Sequence, residues 1–108
     1  MTPLETLQAL ARLAPERFRD VRTFLVKVNL VGNWTEIAHM TAEGQALLSA
    51  ALIELVKARG WRWARYPNGA VALWGGVEDG YLCGLGAATD PFALVLARAV
   101  VQALGVDK

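Results

Sequence analysis

The segment from Pro91 to Leu104 is apolar on nearly every side. Only Arg98 and Gln102 are strongly polar, and they fall four apart on one narrow stripe of a helix. A surface helix carries one apolar stripe and a broad polar face, whereas a helix that is apolar all round must be covered from several directions. A chain of 108 residues has few elements to supply that cover. Either the rest of the chain wraps this helix or a second copy does. The apolar share of 55% exceeds the usual range for soluble domains, and on that ground a homo-oligomer is expected.

The remaining pattern describes one α+β domain over residues 1–108. Residues 3–14 read as a helix, with Thr2 as cap, Pro3 in the first turn and Leu4, Leu7, Leu10 and Ala11 on one face. Residues 16–31 carry two periods at once. Phe18, Val21, Leu25 and Val28 recur at helical spacing ahead of Gly32, while Phe24, Val26, Val28 and Leu30 alternate as a strand does. The helical reading is preferred, which makes residues 1–41 an N-terminal helical extension, and Asn33 with Glu36 then caps a short segment through Met40. Residues 42–59 are the clearest helix, from Thr41 to Gly60, burying Leu48, Ala51, Leu52, Leu55 and Val56. The period then switches to two. WRWARY, the Asn68-Gly69 turn, AVALW, a turn at Glu78-Asp79-Gly80 and YLCGLG give a three-stranded antiparallel meander, and Thr89 or Asp90 caps the last helix. The core is thus α-β-β-β-α over residues 42–105, a three-stranded antiparallel sheet flanked by helices, and no internal repeat is visible.

Composition limits the function classes. A net charge of +1 supplies no global attraction to nucleic acid or acidic membranes. The basic residues are nonetheless grouped, with Arg12, Arg17, Arg19, Arg22 and Lys27 in one run and Lys57, Arg59, Arg62 and Arg65 in another. The single cysteine, Cys83, forms no internal disulfide, which fits a reducing compartment. The start of the chain lacks the basic and apolar regions of a signal peptide. No run of 18 apolar residues is present. A cytoplasmic protein without membrane contact is expected.

The chemistry-bearing residues are sparse. Nucleophilic catalysis needs a nucleophile, a base and an orienting group within reach of one another. The chain offers one serine, one histidine and one cysteine: Ser49 inside a helix, His39 in a short connection and Cys83 in a strand. One histidine and one cysteine do not make a zinc site, and Glu78-Asp79 beside Gly80 reads as a solvated turn. Gly84-x-Gly86 leads into a helix start that would attract an anion, but Asp90 already occupies that end as a cap. No enzyme activity, cofactor or metal is expected. Trp61, Arg62, Trp63, Arg65 and Tyr66 interleave rings and cations. That pattern could describe a base-stacking platform, but the preferred reading is a half-buried strand with its tryptophans inward and its arginines wet. Trp34, between Gly32 and Thr35, is the tryptophan hardest to bury by periodicity.

Two families resemble residues 42–105. The double-stranded-RNA-binding domain shares the element order and the glycines Gly84 and Gly86 before an Ala-rich helix. That family places lysines at the start of its last helix, where Thr89-Asp90-Pro91-Phe92-Ala93 carries an acid and no base. The phage ABA sandwich domain is the nearer likeness. Its marks are Arg59-Gly60-Trp61, Trp74, and Gly86-Ala87-Ala88-Thr89-Asp90-Pro91-Phe92-Ala93-Leu94. That resemblance implies a phage setting and a small protein that binds and blocks a host protein in the host cytoplasm, an anti-defence, anti-CRISPR-like inhibitor being one form. The expected partner contacts are Trp34 with Arg17, Arg19, Arg22, Arg59, Arg62 and Arg65. The alternative is a nucleic-acid or nucleotide-binding module built on the Trp/Arg hairpin.

Overall fold

The computed structural model describes residues 2–75, 80–85 and 91–106. Helix α1 covers Pro3–Leu13 and is followed by strands β1 (Phe18–Arg19), β2 (Leu25–Leu30) and β3 (Asn33–Ala38). Helix α2 (Ala42–Ala58) leads to β4 (Arg62–Arg65), β5 (Val71–Gly75) and β6 (Gly80–Leu85), and α3 (Phe92–Val106) closes the order. The α+β class, the α-β-β-β-α core and the N-terminal helix stand as expected. The Glu78-Asp79 turn, the Thr89 or Asp90 cap and the Gly86–Asp90 part of the phage-type motif lie outside the described residues.

The helical reading of residues 16–31 is corrected. β1, β2 and β3 form a second three-stranded antiparallel sheet, in the order β1-β2-β3. The alternation wins because Val26 and Val28 of β2, Phe18 of β1 and Ile37 of β3 share one buried face. Asn33 and Glu36 belong to β3 rather than to a helix cap. Gly32 is a hairpin residue rather than a helix stop. Leu30 pairs with Asn33, so the loop is Val31-Gly32, with φ of 50° and 86°. Two left-handed residues in a two-residue loop make the type I′ turn that suits the twist of a hairpin. Valine is a poor choice there, because its branched Cβ crowds the carbonyl in the left-handed region. Val31 is 80% exposed and has no packing role to offset that strain. Val31→Asn is therefore expected to stabilise the protein by about 1 kcal/mol. A thermal midpoint raised by a few degrees would confirm it, and an unchanged or lowered one would contradict it.

The other element ends follow local rules. Thr2 and Glu5 form a capping box on α1: the Thr2 N–H donates to Glu5 Oε1 at 2.9 Å, and the Glu5 N–H donates to Thr2 Oγ1 at 3.1 Å. The bond from the Thr2 backbone, helped by the Thr2 side chain, holds the Glu5 carboxyl below the usual range. Thr41 caps α2 by accepting from the Gly44 N–H at 2.9 Å. At the other end the Trp61 N–H reaches the Val56 carbonyl and the Gly60 N–H the Lys57 carbonyl, both at 3.0 Å. With Gly60 at φ 73°, this is a complete Schellman motif. It turns Trp61 inward, 4% exposed, at the entry to β4.

The second sheet runs β4-β5-β6, antiparallel throughout. Its first hairpin uses the Asn68-Gly69 signal in a three-residue loop. The Tyr66 N–H donates to the Ala70 carbonyl at 2.8 Å, Gly69 lies at φ 86°, and Asn68 Oδ1 accepts from the Ala70 N–H at 3.0 Å. Helix α2 lies on β2 and β3, and α3 lies on β5 and β6. The chain thus holds two successive β-β-β-α units, a repeat of architecture that residue identities do not reveal. Phe18 opposite Val28 in the first unit corresponds to Trp63 opposite Leu73 in the second.

Helix α3 is the axis of the core. It is flanked by α1 and α2 and backed by β5 and β6. Val95, Leu96, Ala99, Val100 and Ala103 are fully buried, and Arg98 and Gln102 mark its most polar stripe. One buried cluster runs from Leu7 and Leu10 of α1 through both sheets to Leu104. The chain itself covers α3, so burial of that helix does not require the second copy that its sequence invites.

Candidate functional site

Three places carry the residues singled out from the sequence. The first is the outward face of the β1-β2-β3 sheet. Because Phe18, Val26, Val28 and Ile37 point inward, alternation turns Arg19, Lys27, Asn29, Trp34 and Glu36 outward. Trp34 is thus a strand residue rather than a loop one. Arg19 pairs in register with Lys27 and reaches across β2, so that its guanidinium carbon sits 4.0 Å from the Trp34 ring centroid. Such a stack is worth about 0.5–1 kcal/mol at an exposed site, and it fixes both side chains flat on the sheet. Lys27 Nζ meets Asp20 at 3.3 Å, and Asn29 Nδ2 donates to the Glu16 carbonyl at 3.2 Å. Arg17 lies at the sheet's edge, 4.0 Å from Glu54 of α2. The structure therefore brings Trp34 and Arg19 together, while the Arg17 side chain is directed to Glu54 of α2.

The second place is β4, an edge strand. Trp63 is 37% exposed and rests on Phe92 of α3, with ring centroids 5.4 Å apart, and Arg65 lies 5.0 Å over the same Phe92 ring. In the first unit the corresponding Phe18 is fully buried, because α1 packs over β1. Among the described residues Trp63 rests on the start of α3. Arg62 and Tyr66 belong to the opposite face of the strand from Trp63 and Arg65. The interleaved rings and cations therefore divide between two faces rather than forming one stacking track. Arg59 caps α2, with its guanidinium 5.6 Å from the Trp61 ring.

The third place went unread in the sequence. A recess of about 220 Å³ opens between α1, α2 and α3, lined by Leu7, Leu48, Leu94 and Ala97, with His39 and Met40 from the turn after β3. His39 is 6% exposed. Its N–H donates to the Phe24 carbonyl at 3.1 Å, and its Nε2 lies 3.1 Å from the Arg22 carbonyl. A carbonyl oxygen only accepts, so Nε2 carries a proton, and in the neutral ring Nδ1 is then an acceptor. Arg22, expected to contact a partner, contributes this carbonyl to the site while its own side chain is exposed. Met40, at the recess, and Phe24, paired by its backbone with His39, are 63% and 64% exposed. The signal that could have located the recess is faint. Thr6 and His39 are polar residues in otherwise buried positions, and Ala93 and Ala97 leave space on α3.

Of the remaining reactive candidates, Ser49 is tied to the backbone of its own helix. The Ser49 hydroxyl donates to the Gln45 carbonyl at 2.9 Å, one turn back in α2. The Cys83 side chain lies outside the described residues. Among the described residues no cluster of His, Cys, Asp and Glu could hold a metal ion, and no helix is long and apolar enough to cross a membrane. No family model, curated protein or solved structure matches this chain.

Proposed function

We propose that this chain is a non-enzymatic binding protein that acts by occupying a partner protein, and that the outward face of β1-β2-β3 makes the contact. The observation that carries this reading is the Arg19–Trp34 stack on the sheet face turned away from the described helices. Tryptophan and arginine are the residues most enriched where partner proteins bind tightly, and a ring pre-set by a stacked guanidinium loses little freedom on docking. The resemblance to the phage ABA sandwich domain supports taking the partner as a host protein, with an anti-defence inhibitor as one form.

The test uses the full chain as bait in a lysate of bacterial cells, beside Trp34→Ala and Arg19→Glu. Arg19 is exposed and Trp34 half-buried on the outward face, away from the core, so the fold is expected to persist, with thermal midpoints close to that of the parent. Retention of the captured protein is expected to fall by about 30-fold in Trp34→Ala, the loss typical of a hot-spot residue. Undiminished capture by both variants would contradict this contact surface.

Exposure of Trp63 on β4, an edge strand that also bears Arg62 and Arg65, favours a second reading, direct binding of single-stranded nucleic acid. Its signature is affinity for a short oligonucleotide that falls steeply with salt and drops in Arg65→Ala. The absence of any mobility shift at low salt would remove it.

A further inference from the structure

We propose that the recess between the three helices is a binding site for a small uncharged molecule, a single ring with a short alkyl substituent and one hydroxyl group, whose O–H donates to Nδ1 of His39. This inference is independent of the sheet-face reading above.

Three observations converge on that class of ligand. The first is size. A dry apolar cavity of about 150 Å³ lined by aliphatic side chains accommodates benzene, so the recess of about 220 Å³ takes a ring and a few further carbon atoms. Larger drug-like molecules need more room. The second is lining. Leu7, Leu48, Leu94 and Ala97 present carbon, Thr6 and Gln45 add two neutral polar side chains, and among the described residues no lysine, arginine, aspartate or glutamate lines the wall. A charged ligand would lose its hydration there without a counter-charge.

The third observation is the histidine. At 6% exposure its ring is held by the bond from Nε2 to the Arg22 carbonyl, which fixes both the tautomer and the direction of Nδ1. Among the described residues no fully buried side-chain nitrogen or oxygen lacks a partner. Among the described residues Nδ1 has no hydrogen-bond partner, and His39 lines the recess. Nδ1 of the neutral ring, fixed in direction, selects a ligand with a donor, because a ligand without one leaves Nδ1 unpaired. Exposed Met40 borders the recess, and its flexible thioether allows the mouth to adapt to the substituent.

The experiment compares two isomers of equal size, 4-propylphenol and 4-ethylanisole, binding to the full chain. Titration calorimetry gives the affinities, and nuclear magnetic resonance of the labelled protein locates the site. The phenol is expected to bind with a dissociation constant of about 1 mM or tighter. It is expected to bind about tenfold more tightly than the ether, one hydrogen bond being the difference. The ¹⁵N shift of His39 Nδ1 and the methyl signals of Leu7, Leu48 and Leu94 are expected to move with saturation. Ala97→Leu, which fills the recess with a helix-forming residue, is expected to abolish both titrations. Should that variant fail to fold, the shifts in the parent protein still decide the matter. No saturable binding of the phenol, equal affinities for the two isomers, or shifts confined to other surfaces would each overturn the proposal.

Discussion

Gly44→Ala is expected to destabilise the protein by about 3 kcal/mol or more, although alanine is the better helix former by about 1 kcal/mol. Gly44 sits in the first turn of α2, buried beneath the end of β3. A Cβ at that position would run into the backbone carbonyl of Ala38, and also press on the Thr41 hydroxyl that caps the helix. A flexible side chain could swing away, but a carbonyl in a paired strand cannot. Relief would require α2 to lift from the first sheet, loosening the contact of Leu48 and Leu52 with Val26 and Val28. For a domain of this size the expected loss corresponds to a fall of roughly 10–20 °C in the thermal midpoint. A midpoint equal to or above that of the parent would show that propensity, not the close approach of helix and strand, governs this position.

Leu96→Ala carries the second large effect. Leu96 is fully buried in the middle of α3, where helices press from either side and a sheet from behind. Removing three carbon atoms from such a site forfeits their transfer free energy and leaves a cavity that rigid neighbours close only in part. A loss of about 2–5 kcal/mol is expected, comparable with much of the total stability of a small domain. Gln102→Ala, on the exposed stripe of the same helix, is expected to change stability by no more than about 0.5 kcal/mol. Denaturant titration of both variants makes the comparison. Similar losses would mean that α3 has no preferred inward side, and a negligible loss at Leu96 would mean that the helix is not held by its neighbours.

Legibility in the sequence followed the uniqueness of the local signal. From Thr41 to Val106 the caps, the Gly60 stop, the switch to period two and the Asn68-Gly69 turn all point one way, and the elements lie where those signals place them. Between Glu16 and Leu30 two periods compete. The residue that would have decided between them is Val31, and it disguises its turn. An asparagine or glycine there would have announced a hairpin, whereas valine beside Gly32 reads as the end of a helix. With the hairpin hidden, Trp34 looked like a loop residue, and its pairing with Arg19 across β2 had no basis in spacing. The repeat of β-β-β-α is likewise invisible in the sequence, because matching register positions carry unlike residues, Phe18 against Trp63 and Lys27 against Ala72. The recess was beyond reach for a different reason. It is made where Leu7, His39 and Ala97 meet, and only packing of the three helices brings those distant positions together.

The α3 helix as the covered axis of a single chain is the claim on which the rest stands, and native-state amide hydrogen exchange tests it most directly. The amides from Leu96 to Ala103 are expected to exchange only through global unfolding. Their exchange free energy should match that from denaturant titration and should not change with protein concentration. Exchange of these amides by local opening, faster than those in the middle of α2, or protection that falls on dilution, would contradict it.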